Sequence, residues 1–118
     1  MALRILVVDD SPHFRDAAAQ LLAARGFELF EEAADGERAL AAVAADCPDG
    51  ILLDINLPGL DGFAVAESLA AACSGARVVL TSAGVRHVPT CVLESCAAVA
   101  FVPKDELVAA DLESLFRR

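Results

Sequence analysis

At 118 residues the chain amounts to one domain, 1–118, long enough to bury a single core. Its net charge of −9, with nine scattered basic residues, argues against nucleic-acid binding, which rests on clustered Lys and Arg. A hydrophobic fraction of 57% and a mean hydropathy of +0.55 look membrane-like, but alanine inflates both, and no run free of charged residues exceeds nine, against the roughly 20 a spanning helix needs.

The first apolar run, Leu3-Arg4-Ile5-Leu6-Val7-Val8, is too short for a signal peptide and ends in Asp9-Asp10. The chain therefore reads as cytoplasmic, with no membrane contact. This run is the first strand. Ser11 then offers an N-cap and Pro12 a first helical residue. Phe14, Ala17, Ala18, Leu21, Leu22 and Arg25 keep helical spacing until Gly26. Phe27–Ala33, with interleaved acids, reads as an edge strand. Asp35-Gly36 opens a second helix through Ala39, Leu40 and Val43, which Cys47-Pro48 ends. Gly50-Ile51-Leu52-Leu53 is a buried strand ending in Asp54, followed by the turn-rich Asn56-Leu57-Pro58-Gly59-Leu60-Asp61-Gly62. A third helix is expected over Phe63–Cys73. Arg77-Val78-Val79-Leu80 is a strand that ends in Thr81-Ser82. A fourth helix is expected over Val88–Cys96, with Val88, Val92 and Cys96 toward the sheet. Val99–Pro103 is a strand ending in Lys104, the only lysine in the chain. A fifth helix over Glu106–Phe116 presents Leu107, Leu112 and Leu115, and Arg117-Arg118 reads as its solvated end. Five strand–helix units in this length fit a doubly wound parallel α/β sheet. Cys47, Cys73, Cys91 and Cys96 show no C-x-x-C spacing and read as small buried hydrophobes.

In an open parallel sheet, ligands sit beyond the carboxyl ends of the strands. Asp9, Asp10, Asp54, Thr81, Ser82 and Lys104 all stand at such ends. Adjacent carboxylates repel unless a cation neutralises them, and Mg²⁺ takes oxygen ligands of this kind. Asp54 is a candidate nucleophile toward phosphorus. Thr81 offers a hydroxyl and Lys104 a point charge for phosphoryl oxygens.

Four segments in order carry a resemblance. Ile5-Leu6-Val7-Val8-Asp9-Asp10-Ser11, Leu53-Asp54-Ile55-Asn56-Leu57-Pro58-Gly59-Leu60-Asp61-Gly62, Val79-Leu80-Thr81-Ser82 and Phe101-Val102-Pro103-Lys104 resemble a response-regulator receiver domain of two-component signalling. The resemblance spans the whole chain. It implies a five-stranded sheet in the order 2-1-3-4-5 with helices on both faces. It implies Asp54 as phosphoacceptor, with Thr81 and Lys104 assisting. Asp9, Asp10, Asp54 and the backbone carbonyl of Asn56 would hold Mg²⁺, and Thr81 with Phe101 would form the switch. The partner it implies is a histidine kinase or histidine phosphotransfer protein. The chain would be a signalling receiver rather than an enzyme, the downstream target undefined and homodimer formation open. Departures are plain. Asp105 stands where the family has a cis proline after the lysine, so a trans Lys104-Asp105 bond is expected. Pro103 suits an edge strand. Ala97 and Ala100 replace frequent glycines, so the turn into the last strand must avoid positive φ or carry strain. The region Gly84–Cys96 matches poorly. Alternatives are a phosphorylation-independent interaction module of the same fold, and a Mg²⁺-dependent phosphatase, which the adjacent Asp9-Asp10 and lack of a cap domain oppose.

Overall fold

The computed structural model describes residues 2–117. Strands β1 (Arg4–Val8), β2 (Glu28–Ala33), β3 (Gly50–Asp54), β4 (Arg77–Ser82) and β5 (Ala98–Pro103) form one sheet in the order β2-β1-β3-β4-β5. Every pairing is parallel. Side chains alternate between two faces. Leu6, Val8, Ile51, Leu53, Val78 and Leu80 meet α2 (Gly36–Ala45) and α3 (Gly62–Ala72) on one side. Ile5, Val7, Leu52 and Val79 meet α1 (Pro12–Ala24) and α5 (Leu112–Phe116) on the other. The central strands are therefore apolar between their ends, whereas β2, covered on one edge only, keeps its acids exposed.

Local chemistry sets most boundaries. Ser11 Oγ accepts the Phe14 N–H at 3.2 Å to start α1. Gly26, at φ +86°, ends it, with Phe27 N–H donating to Leu22 O and Gly26 N–H to Ala23 O. Asp35 and Asp61 cap α2 and α3 by accepting from Arg38 and Phe63 N–H groups. The edge position of β5 accommodates Pro103, and no cis peptide occurs among the described residues, so Lys104-Asp105 is trans. No described helix is long and apolar enough to cross a membrane.

Three expectations need correction. α4 is only Thr90–Ser95, shorter than Val88–Cys96, because a residue preceding proline is pushed out of the helical region and Val88 precedes Pro89. Val88 and Cys96 are nonetheless buried, and Val92 is half-buried. The single fifth helix is two pieces, a 3-10 turn at Lys104–Glu106 and the five-residue α5. Asp111 restarts the helix by accepting the Ser114 N–H, while the Arg25 guanidinium donates to the carbonyls of Val108 and Ala110 and withdraws them from any helical ladder. Arg117 pairs with Glu113, and Arg118 lies outside the described residues. Finally, Cys47 and Cys73 are joined in a disulfide, Cys91 is exposed, and only Cys96 is a free buried thiol. Packing of α2 beside α3 brings together two sulfurs that stand 26 residues apart in sequence.

The strain foreseen at the turn into β5 is present, since Ala97 adopts φ +62°. An alanine there costs about 1 kcal/mol relative to glycine. Ala97→Gly is expected to raise the thermal midpoint by about 4 °C in a calorimetric scan.

Candidate functional site

The carboxyl ends of β1, β3, β4 and β5 face one pocket. Asp9 follows β1 and is fully buried. Its Oδ1 accepts the Ser11 N–H at 2.8 Å, its own N–H donates to Ala33 O, and Arg15 Nη1 donates to its carbonyl at 2.6 Å. Asp54 ends β3, in register with Thr81, and is 4% exposed. Its Oδ1 accepts the Asn56 N–H at 2.9 Å. Asp10 is exposed at the rim, and one carboxylate oxygen from each of Asp9, Asp10 and Asp54 fits within a 4.8 Å cluster.

Lys104 leads the 3-10 turn after β5 and reaches back into this cluster. Its Nζ lies 2.7 Å from Asp9 Oδ2 and 3.3 Å from Asp54 Oδ2. Asp9 Oδ2 receives no hydrogen bond of regular geometry, so the contact is that of a point charge. Burial pushes the Asp9 carboxyl above its usual range, opposed by Lys104 and the Ser11 N–H and reinforced by the neighbouring Asp54 charge. For Lys104, burial disfavours the ammonium, but its contacts with Asp9 and Asp54 outweigh that, and its pKa is held above the ordinary lysine value.

Thr81 is fully buried, and its Oγ1 has no hydrogen-bond partner. Its neighbour Ser82 is equally buried and holds the loop after β4 together. Ser82 Oγ accepts from Asn56 Nδ2 at 2.7 Å and from the N–H groups of Gly84 and Val85 at 3.2 Å. Phe101, half-buried, pairs in register with Leu80 and packs on the α2–α3 side of the sheet.

Asp9, Asp10, Asp54 and Lys104 thus meet directly, and Thr81 is placed on the strand end beside Asp54. Two participants escaped the sequence reading. The Phe14 ring lies under the Lys104 ammonium, 4.2 Å from it, a cation–π contact whose only trace in sequence is an aromatic on the first turn of α1. Arg86 pairs at 2.8 Å with both Asp105 and Glu106, tying the loop after β4 to the turn that carries Lys104. The oxygen-only donor set, with three carboxylates facing one ammonium, fits a hard divalent cation such as Mg²⁺.

Comparison with known proteins agrees with this geometry. The family described as response regulator receiver domain matches residues 5–114. The protein-glutamate methylesterase/protein-glutamine glutaminase 5 of Myxococcus xanthus is 44% identical over 81 residues, covering 68% of this chain and 23% of that protein. The chemotaxis protein CheY of Bacillus subtilis is 34% identical over 83 residues, covering 70% and 69%. A two-component response regulator of the LuxR family from Aurantimonas sp. SI85-9A1 superposes with a TM-score of 0.81 at 26% identity, covering 98% of this chain and 86% of that one. The chain spans less than a third of the length of several curated relatives it matches. Because the match over residues 5–114 takes in residues of all five strands and every carboxylate of the cluster, the chain belongs to the response regulator receiver domain family.

Proposed function

We propose that this receiver accepts a phosphoryl group on Asp54 from a phosphohistidine of a histidine kinase or histidine phosphotransfer protein, and that the modification remodels a protein-binding surface. The observation that carries the reading is the approach of Lys104 Nζ to both Asp9 and Asp54 beyond the carboxyl ends of the sheet. In the transfer, an Asp54 carboxylate oxygen forms a bond to phosphorus as the bond from phosphorus to the histidine nitrogen breaks. That nitrogen keeps the electron pair. Asp9, Asp10, Asp54 and the Asn56 carbonyl would hold Mg²⁺, which supplies charge neutralisation for the phosphoryl oxygens. Lys104 stabilises the same charge from the side of β5, and the idle Thr81 hydroxyl is free to donate to a phosphoryl oxygen. Phe101, lacking a hydroxyl, answers such a change through packing alone, as a switch that works with Thr81. The chain acts as a signalling module, not as an enzyme on outside substrates.

Incubation with a small acyl phosphate and Mg²⁺ is expected to add the mass of one phosphoryl group, and EDTA to prevent it. Lys104→Ala is expected to slow uptake about 100-fold or more while leaving Mg²⁺ affinity nearly intact. Unchanged mass in the wild type despite tight Mg²⁺ binding would favour a phosphorylation-independent interaction module of the same fold.

A protein donor needs a docking face. A groove of about 370 Å³ between α1 and the segment after β5 is lined by Phe14, Ala17, Leu21, Leu107 and Val108, and Lys104 borders both groove and site. Val108 is 69% exposed. Val108→Asp is expected to slow transfer from the protein donor about 10-fold, the effect of roughly 1.4 kcal/mol, with uptake from the small donor unchanged. Equal slowing of both would place the groove outside the docking face.

A further inference from the structure

We propose that Cys47 and Cys73 form a reversible thiol–disulfide site that braces the β3–α3 unit, with Cys47 as the solvent-facing thiol that reacts first. The inference stands independently of phosphorylation. The two Cα atoms lie 5.7 Å apart, within the span a disulfide bridges. Cys47 is exposed in the turn after α2, and Cys73, 2% exposed, closes the C-terminus of α3.

Hydrogen bonds that do not involve sulfur hold both backbones in place. The Arg4 guanidinium donates to the Asp46 carboxylate and to the Cys47 carbonyl, each at 3.0 Å, and the Arg4 N–H donates to Asp49 Oδ2 at 2.8 Å. The Cys73 N–H donates to Leu69 O at 2.9 Å, and its carbonyl accepts from Ala76 at 3.0 Å. The pair is consequently pre-positioned whether or not the sulfurs are joined, which favours ring closure over a lasting mixed disulfide. Cys91 and Cys96, on and beside α4, are not joined to one another.

A low-molecular-weight disulfide such as oxidised glutathione is the co-reactant. The Cys47 thiolate attacks one of its sulfurs and expels one glutathione thiolate. The Cys73 thiolate then attacks Cys47 Sγ and expels the second. Two protein thiols lose two protons and two electrons, and the glutathione disulfide becomes two thiols. Excess dithiol reverses the sequence. The closed ring, with a sequence separation of 26, contains all of β3 with Asp54 and all of α3. Closure restricts that unit in the unfolded chain, so the oxidised form should be the more heat-resistant.

The test uses the full chain, reduced with dithiothreitol and then passed into oxidised glutathione. Alkylation in denaturant is expected to label all four thiols of the reduced chain and, after oxidation, neither Cys47 nor Cys73, with peptide mapping joining the two. The oxidised form is expected to melt about 10 °C higher. Cys47→Ser, an exposed change that leaves the fold intact, should abolish the difference, and Cys91→Ser should preserve it. Four labelled thiols after oxidation, or glutathione retained on Cys47, would overturn the proposal. So would a bridge that survives excess dithiothreitol under native conditions, since the site would then not respond to redox surroundings.

Discussion

Asp54→Asn is expected to abolish the gain of a phosphoryl group from a small donor while leaving the fold standing. Asparagine keeps the shape of the side chain and its Oδ1 can still accept the Asn56 N–H. It lacks the anionic oxygen that attacks phosphorus; Asp9, the other buried carboxylate at this edge, carries Lys104 closer to its second oxygen, at 2.7 Å against 3.3 Å. The same change has a second readout. Asp54 is one of the groups that raise the Asp9 carboxyl. A raised carboxyl contributes stability that is full below the unfolded value of 3.8 and is lost as pH rises through the folded value. With Asp54 neutral, Asp9 is raised less, so less stability is lost on the way to neutral pH. In EDTA, Asp54→Asn should therefore lose less stability through Asp9 between about pH 3 and pH 7, a gain set against the lost 3.3 Å contact of Asp54 with Lys104. Urea titrations at the two pH values check this. A persistent mass gain in the variant would move the acceptor elsewhere.

Gly62→Ala should be the most damaging single methyl in the chain. Gly62 is buried at the start of α3, and an added Cβ would stand 2.7 Å from the Ile55 carbonyl carbon and closer still to the Ile55 Cα and O. All three are backbone atoms of the segment that leaves Asp54, so no rotamer change relieves the overlap. The strand end and the helix would have to separate, at about 3 kcal/mol or more. The expected fall in thermal midpoint is about 10 °C, accompanied by weaker Mg²⁺ binding as Asp54 shifts. Gly84→Ala is the control, because nothing lies within 4 Å of a Cβ there, and it should melt within a degree or two of wild type.

The strands and first three helices were readable because each signal was local. Ser11-Pro12, Asp35 and Asp61 cap helices with their own side chains, and Gly26 supplies a backbone conformation other residues resist. The acidic cluster was readable because parallel strands must deliver their end residues to one edge. What escaped depends on contacts between distant segments. The apolar spacing of Leu107, Leu112 and Leu115 suits one helix, but Arg25, more than eighty residues away, takes the carbonyls of Val108 and Ala110. By spacing Phe14 belongs to the core stripe of α1, and only the return of β5 sets Lys104 over its ring. Arg86 and Asp105 lie in a loop and a turn with no periodicity, so their pairing left no pattern. The Cys47–Cys73 bond needed the lateral packing of α2 on α3, which spacing does not encode.

The solitary hydroxyl of Thr81 gives the pocket a built-in direction. Most sealed donors in a folded protein have already spent their bonding capacity, so a newcomer must displace something to gain from them. Here nothing need be displaced. An acceptor oxygen arriving within reach recovers about 1–3 kcal/mol that the resting fold forgoes. That corresponds to about 5–150-fold in affinity for whatever brings the acceptor to this edge of the sheet. The cluster is in this sense loaded asymmetrically, favouring a guest that can share that proton.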